Sequence, residues 1–341
     1  MYATIGATVV NKIPVATNQA ILAIQPKRSF SPEFIAFCLR AHKAALSARN
    51  IQATQKNINK GIVETFPLPV PPLPEQRKIA GVLGLVQQAI EQQERLIEKT
   101  TELKKALLHQ LFTKGLRGES QKQTEIGLIP ENWQISTMGQ TGEVVYGIQA
   151  AVASNLEPVG TPILTNKNIT LDGGFDLEKL NYFKLKTPRH KATLLKKGDL
   201  LFNWRSGSKE HVGKTALFDL DGDYTHSSFI LRIRPHDSIT GHFLFYFLNW
   251  LRESGYFVKR QSFAVNAKFN KSAITQLMVA LPEPTERGEI VSALDAATAK
   301  EEIHRNKHAV LSALFRTLLH QLMTAQIRVN NLDLKMKNKD G

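Results

Sequence analysis

The string LLHQL occurs twice in this chain, at Leu107–Leu111 and at Leu318–Leu322, 211 residues apart. Held without gaps, that offset aligns the 64 positions from Gln55 to Gly118 with 15 identities. They include Asn59/Asn270, Lys60/Lys271, Pro71/Pro282, Glu75/Glu286, Ile79/Ile290, Leu83/Leu294, Leu103/Leu314 and Arg117/Arg328. Small changes of offset carry the match backwards. FIAFCL at 34–39 answers FLFYFL at 243–248, Pro26 answers Pro235, and TIGATVV at 4–10 answers HVGKTAL at 211–217. A period this long excludes a solenoid and means that one domain is written twice. Measured from Trp133 to Val212, roughly 75 residues of the second copy have no counterpart before Ile5, so the first copy is expected to be cut short at its amino side.

Each copy ends in the same way. A Pro-rich stretch, FPLPVPPLPEQ in one and VALPEPTE in the other, forbids helix up to that point. Long helices are then expected over about 75–113 and 285–324. Their apolar residues recur at three-and-four spacing, the narrow stripe of a coiled coil. The pairing positions are Leu83, Val86, Leu103, Leu107 and Leu111 in the first helix, and Leu294, Leu314, Leu318 and Leu322 in the second. About 40 residues at 1.5 Å each make a rod of about 60 Å that cannot bury its own stripe. The two rods either pair, most simply antiparallel, or each packs on its own globular domain. Between them, from about Trp133 to Leu281, Gly-punctuated runs predict strands at 144–148, 162–164, 199–202, 214–218 and 229–233, followed by a helix over 239–253. The fold class is α+β. The expected divisions are a partial first globular domain over 1–73, a long helix over 74–118, a complete second domain over 119–283, a second long helix over 284–327 and a disordered polar tail over 328–341.

Charge narrows the partner. The chain has 44 Lys and Arg against 30 Asp and Glu, a net charge of +14, which suits a polyanion, nucleic acid above all. Cys38 is the one cysteine, so no internal disulfide forms and a cytoplasmic, reducing compartment is expected. No stretch approaches the roughly 18 apolar residues that span a membrane, so no membrane partner is expected.

No catalytic constellation emerges. Val212–Thr215 reads VGKT, but a phosphate-binding loop needs glycine where Ser208 stands, and the segment lies between strand patterns instead of before a helix. A strand-end structural role fits it better. His304 and His308 lie four apart on a helix and could share a metal, yet no HExxH pattern or further ligand accompanies them, which favours a solvated face. His109 and His320 repeat within LLHQL, as helix packing or a polar interface would require. No metal and no cofactor is expected in this chain.

LPVPPLPEQRKIAGVL, a long helix to LLHQLFTKGLRG, and then EIGLIPENWQISTMGQ is a succession similar to the central region of type I restriction–modification specificity (S) subunits. KKGDLLFNWRSGS at 196–208 also resembles the strand and loop that their recognition domains carry before a V-G-K/R-x-A strand. The resemblance implies duplicated target-recognition domains separated by two long antiparallel coiled-coil helices. Each domain would read one half of a split double-stranded DNA sequence, and the helices would bind methylase (M) subunits and recruit restriction (R) subunits. S-adenosylmethionine, ATP and Mg would belong to those partners. Half-sites about one helical turn apart suit two readers related by a pseudo-dyad. The start departs from the family pattern, which leaves open a truncated S-like coiled-coil assembly protein with one working reader.

Phosphates want Lys and Arg, and base edges want Arg, Asn, Gln, Lys and Ser on positioned loops. Three segments of the second domain concentrate them: Lys167 and Asn168; Asn203, Arg205, Ser206 and Lys209; and Lys259, Arg260, Asn266, Lys268 and Lys271. Lys56, Asn57 and Lys60 answer the last segment in the first copy. These are the candidate DNA-binding residues.

Overall fold

The computed structural model describes residues 7–49, 60–149, 156–263 and 269–329. The chain divides into two units. Unit 1 comprises Met1–Lys99 and Glu301–Gly341, and unit 2 comprises Thr100–Lys300. The long helices span Leu73–Lys114 and Pro284–Met323, so each begins in one unit and ends in the other.

Unit 2 is built on a four-stranded antiparallel sheet in the order Gly142–Tyr146, Ile230–Pro235, Leu200–Asn203 and Thr215–Leu217. Leu200–Asn203 is buried throughout, which is why it reads as a continuous apolar run instead of an alternating one. Arg232 and Arg234 leave the central strand on the other side of the pattern. The first pairs with Glu143 at 2.8 Å, and the second clasps both oxygens of the buried Asp199 at 2.6 and 2.7 Å. A second sheet, ordered Thr225–His226, Thr161–Leu164, Asn181–Phe183 and Leu156–Glu157, begins with a parallel pair. Short strands at Gln121–Thr124, Gly127–Pro130 and Gln134–Thr137 precede the segment from which strands are expected. The helix Ser238–Glu253 is capped by Asp237, whose carboxylate accepts from the Thr240 amide at 2.8 Å. Its aromatic face closes on Phe112, whose ring centroid lies 5.4 Å from Phe243, 5.4 Å from Phe247 and 5.3 Å from Trp250.

Unit 1 repeats part of this plan with different atoms. Its helix Pro32–Ala41 is capped by Ser31 and buries Phe34, Phe37 and Cys38, the counterparts of Phe243, Tyr246 and Phe247. The Cys38 thiol donates to Met323 Sδ at 3.3 Å. Cys38 aligns with Phe247 and Met323 with Phe112, so a sulfur–sulfur contact here occupies the place of an aromatic pair in unit 2. Gln76 Nε2 donates to Pro71 O at 2.8 Å and its counterpart Arg287 Nη2 donates to Pro282 O at 2.9 Å. Each also reaches the start of the preceding helix, Gln76 at the Ser31 amide and Arg287 at the Thr240 hydroxyl. Arg40 donates to Thr8 O, and its counterpart Asn249 donates to Thr215 O. The units diverge at the strands. Ile21, Leu22 and Ile24 are 58%, 42% and 44% exposed, whereas their counterparts Ile230, Leu231 and Ile233 are fully buried. No strand covers the former among the described residues.

The long helices contribute to both units. In unit 1, Ile79, Ala80 and Leu83 share one apolar cluster with Leu318, Leu319, Leu322 and Met323. In unit 2, Leu108, Leu111, Phe112 and the half-buried Leu107 share one with Ile290, Val291 and Leu294. Two expected pairing residues are corrected. Leu103 and its counterpart Leu314 are 59% and 44% exposed. Helix geometry explains it: at about 100° per residue, five positions turn Leu103 about 140° from the buried Leu108 within unit 2, and five positions turn Leu314 by the same angle from Leu319 of the unit 1 cluster. Val86 is half-buried. His304 and His308 do not face solvent alone. His304 Nδ1 lies 2.9 Å from Gln93 Oε1, and His308 Nε2 lies 3.2 Å from Glu94 Oε1. Gln93 and His304 are counterparts under the 211-residue offset. His109 and His320 are both exposed. The tail from 330 onwards lies outside the described residues.

Candidate nucleic-acid interface

All three candidate segments of the second copy fall in unit 2, and burial sorts their side chains into two kinds. Asn168 is buried. Its Oδ1 accepts from the Thr165 amide and hydroxyl, both at 2.9 Å, and its Nδ2 donates to Asp176 O at 2.9 Å and Lys179 O at 3.1 Å. With all its hydrogen-bonding capacity spent on backbone and Thr165, it holds the loop's shape and is removed from the base-reading set. Lys167, beside it, is exposed at the tip.

Asn203 leaves the base-reading set because it is buried. It stands at the end of its strand, and Nδ2 donates to His211 O at 2.8 Å, closing the 204–211 loop. On that loop Arg205 and Lys209 are exposed and Ser206 is half-buried. The Arg205 guanidinium lies 5.9 Å from the centre of the Phe229 ring and makes no ion pair among the described residues, so its donors are available to an acceptor. Arg260 is more occupied. It stacks on Tyr256 at 4.4 Å, donates to Glu125 O at 3.2 Å and faces the Glu125 carboxylate at 3.8 Å. Lys259 and Lys271 are exposed. Asn266 and Lys268 lie outside the described residues, as do Lys56 and Asn57 of the first copy. Lys60 opens a short helix, Lys60–Glu64, and pairs with Glu64 at 3.4 Å, a surface ion pair of small energetic value.

Tyr146, which no sequence pattern singled out, joins two of the segments. Its ring meets Trp204 edge-on at 5.6 Å, and its hydroxyl accepts from the Lys271 amide at 2.9 Å. Trp204 is fixed in turn by donation from Nε1 to Ser228 O at 2.7 Å. Beside Tyr146 lies a cavity of about 360 Å³ that Arg189 and Lys271 also line. Arg189 had no signal in the sequence beyond its charge. Lys167, Arg205, Lys209 and Lys271 place cationic side chains on loops or element ends of unit 2, from which phosphates and base edges are contacted, while Lys259 and Arg189 lie on short helices. Among the described residues no three His, Cys, Asp or Glu side chains gather into a metal-binding group, and no helix is long and apolar enough to cross a membrane.

The family model for the type I restriction modification DNA specificity domain matches residues 1–101 and 130–313. The chain belongs to this family. It is a DNA-specificity component of a restriction–modification system and not a catalytic subunit. Among its relatives, the type I restriction enzyme MjaVIII specificity subunit of Methanocaldococcus jannaschii is 24% identical over 338 residues, covering 96% of this chain and 78% of that protein. The type I restriction enzyme EcoBI specificity subunit of Escherichia coli is 24% identical over 360 residues, covering 96% and 74%. Of solved structures, the type I S subunit from M. genitalium aligns with a TM-score of 0.57 at 16% identity, over 86% of this chain and 73% of that one. A chain from a study of complex assembly and conformational transition in a type I system aligns at 0.55 and 19%, over 86% and 71%. These likenesses concern the fold. The combined α and β architecture is that of S subunits.

Proposed function

We propose that the chain reads a bipartite double-stranded DNA sequence for a type I complex and scaffolds methylase and restriction subunits around it. The observation that carries this reading is the repeated contact set. Gln76 and Arg287, Arg40 and Asn249, and Cys38–Met323 against Phe247–Phe112 are matched features of two related units on one chain. Two readers that differ in sequence need no palindrome. The long helices would separate them as an antiparallel coiled coil, a reading supported inside each unit by the start of one helix sharing a cluster with the end of the other. In unit 2 the exposed Lys167, Arg205, Lys209, Lys259 and Lys271 would face DNA, with Arg205 suited to a bidentate contact with guanine and the lysines to phosphates.

A second reading, a coiled-coil assembly protein in which unit 2 alone reads bases, is favoured by the exposure of Ile21, Leu22 and Ile24. One experiment separates the two. The chain is co-purified with its methylase subunit, and bound duplexes are selected from a random library. The first reading gives a motif of two fixed blocks with an unread spacer, and the second gives a single block. Failure to enrich any sequence would defeat both. The chain freed of partners should neither methylate nor cleave DNA.

A further inference from the structure

The VGKT stretch at 212–215 is the point where all three candidate reading segments of unit 2 are tied down. Lys214 is a buried lysine. Its ammonium group donates to Asn166 O at 3.0 Å and to Ile169 O at 2.5 Å, bracketing Lys167. Burial of the ammonium opposes its charge and lowers its pKa, with Arg252 adding to the effect. Burying a cation is costly unless its donors are matched, so an apolar residue would fill this place at lower cost. What an apolar residue cannot do is grip two carbonyls of a loop more than forty positions away in sequence. Arg252 adds a second grip on the same loop, donating from Nη2 to Leu171 O at 2.8 Å.

The backbone of the same turn holds the second segment. The Asn203 amide donates to Lys214 O at 2.8 Å and the Gly213 amide donates to Asn203 O at 2.9 Å, closing the loop that presents Arg205 and Lys209. The third segment is held by close approach. Gly213 has φ of +90°, and a Cβ there would stand 2.3 Å from Phe257 Cδ2. Only glycine accepts both the conformation and the contact. Phe257 is fully buried in the helix Tyr256–Phe263, which carries Lys259.

We propose that Lys214 is a positioning residue: its side chain ties the 166–169 segment to the turn whose backbone and Gly213 hold the other two candidate DNA-reading segments of unit 2, and so sets how strictly that unit discriminates bases. The proposal rests on the reading that unit 2 binds DNA. It is specific to the second copy, since TIGATVV places Ala7 where HVGKTAL places Lys214. Lys214 is buried, with its ammonium held by two backbone carbonyls, and so is not presented to a phosphate. Its removal therefore loosens discrimination without removing a phosphate contact.

The test uses the complex of the full chain with its methylase subunit, a duplex enriched by the unmodified complex, and single-base variants of that duplex. Lys214→Met should cut the preference for the enriched duplex over its variants by about tenfold, the size of one well-read base pair. Non-specific affinity and the salt slope should stay as they were, because a phosphate-binding lysine alone lowers that slope by about one. Amide hydrogen exchange should rise over 166–171 while 230–235 stays protected, and Lys214→Arg should restore part of the preference. Should Lys214→Met fail to fold, Lys214→Gln, which keeps a donor, should show the same changes at smaller size. Unchanged discrimination with unchanged exchange, or a uniform loss of binding with a reduced salt slope, would overturn the proposal. If the unmodified complex enriches no sequence, it is the DNA-reading assignment that fails, and the exchange measurement still decides the role of Lys214.

Discussion

Leu294 and Leu103 provide a matched pair for testing which helix faces carry the stability of unit 2. Both are leucines in long helices and both belong to the 211-residue repeat, yet Leu294 is 0% exposed and Leu103 is 59% exposed. Leu294 lies in the cluster of Leu108, Leu111, Phe112, Ile290 and Val291. Truncation to alanine removes its buried methyl and methylene groups and leaves a cavity in surroundings that include the rigid Phe112 ring. Leu294→Ala should therefore cost about 3–5 kcal/mol. The same truncation at Leu103 removes atoms that are mostly hydrated already and should cost about 1 kcal/mol or less. All three tryptophans, Trp133, Trp204 and Trp250, are in unit 2, so their fluorescence in urea follows this unit without interference from unit 1. Equal losses at the two positions, or a larger loss at Leu103, would refute the assignment of the buried face.

Two further outcomes are expected. Arg205→Ala, at an exposed side chain without an ion pair among the described residues, should cost about 1–3 kcal/mol in binding and relax one base position of the enriched motif; an unchanged motif at full affinity would show that Arg205 reads nothing. His226 is buried with its pKa lowered to about 3 by desolvation and by the neighbouring Arg232, so the folded state keeps it neutral. The unfolded state takes up a proton near pH 6.5 and the folded state does not, so stability is intact above that pH and falls between 6.5 and about 3, by up to about 1.4 kcal/mol per pH unit. His226→Phe should flatten the acid limb of tryptophan-monitored unfolding, and an equally steep limb in the variant would contradict the assignment.

Much of the fold was written in the repeat. The offset places the long helices within two residues of Leu73–Lys114 and Pro284–Met323, because proline marks their starts and periodicity their extents. The strands Leu200–Asn203 and Ile230–Pro235 were legible as apolar runs bounded by turn residues. Which leucines face inward was less so. Identity in both copies marked Leu103 and Leu314 as strongly as Leu83 and Leu294, and only the angular drift along the helix separates them. Within the candidate interface, composition alone located the loops but not the roles of their residues. Asn168 and Asn203 look like surface asparagines in sequence. Their roles come from carbonyls at Asp176, Lys179 and His211 that only the folded chain brings to them. Arg260 is likewise drawn to Glu125, 135 residues away. Tyr146, which no local pattern announces, and Lys214, whose VGKT pattern marked the place but not the role, also act through contacts distant in sequence.

The central claim is that this chain dictates which DNA sequence its complex acts on. It is tested most directly by sequencing methylated bases genome-wide in cells that carry the methylase subunit with the chain, without it, and with Arg205→Ala. A split motif should be modified only when the chain is present, and one of its positions should relax in the variant. The same motif persisting without the chain would contradict the claim.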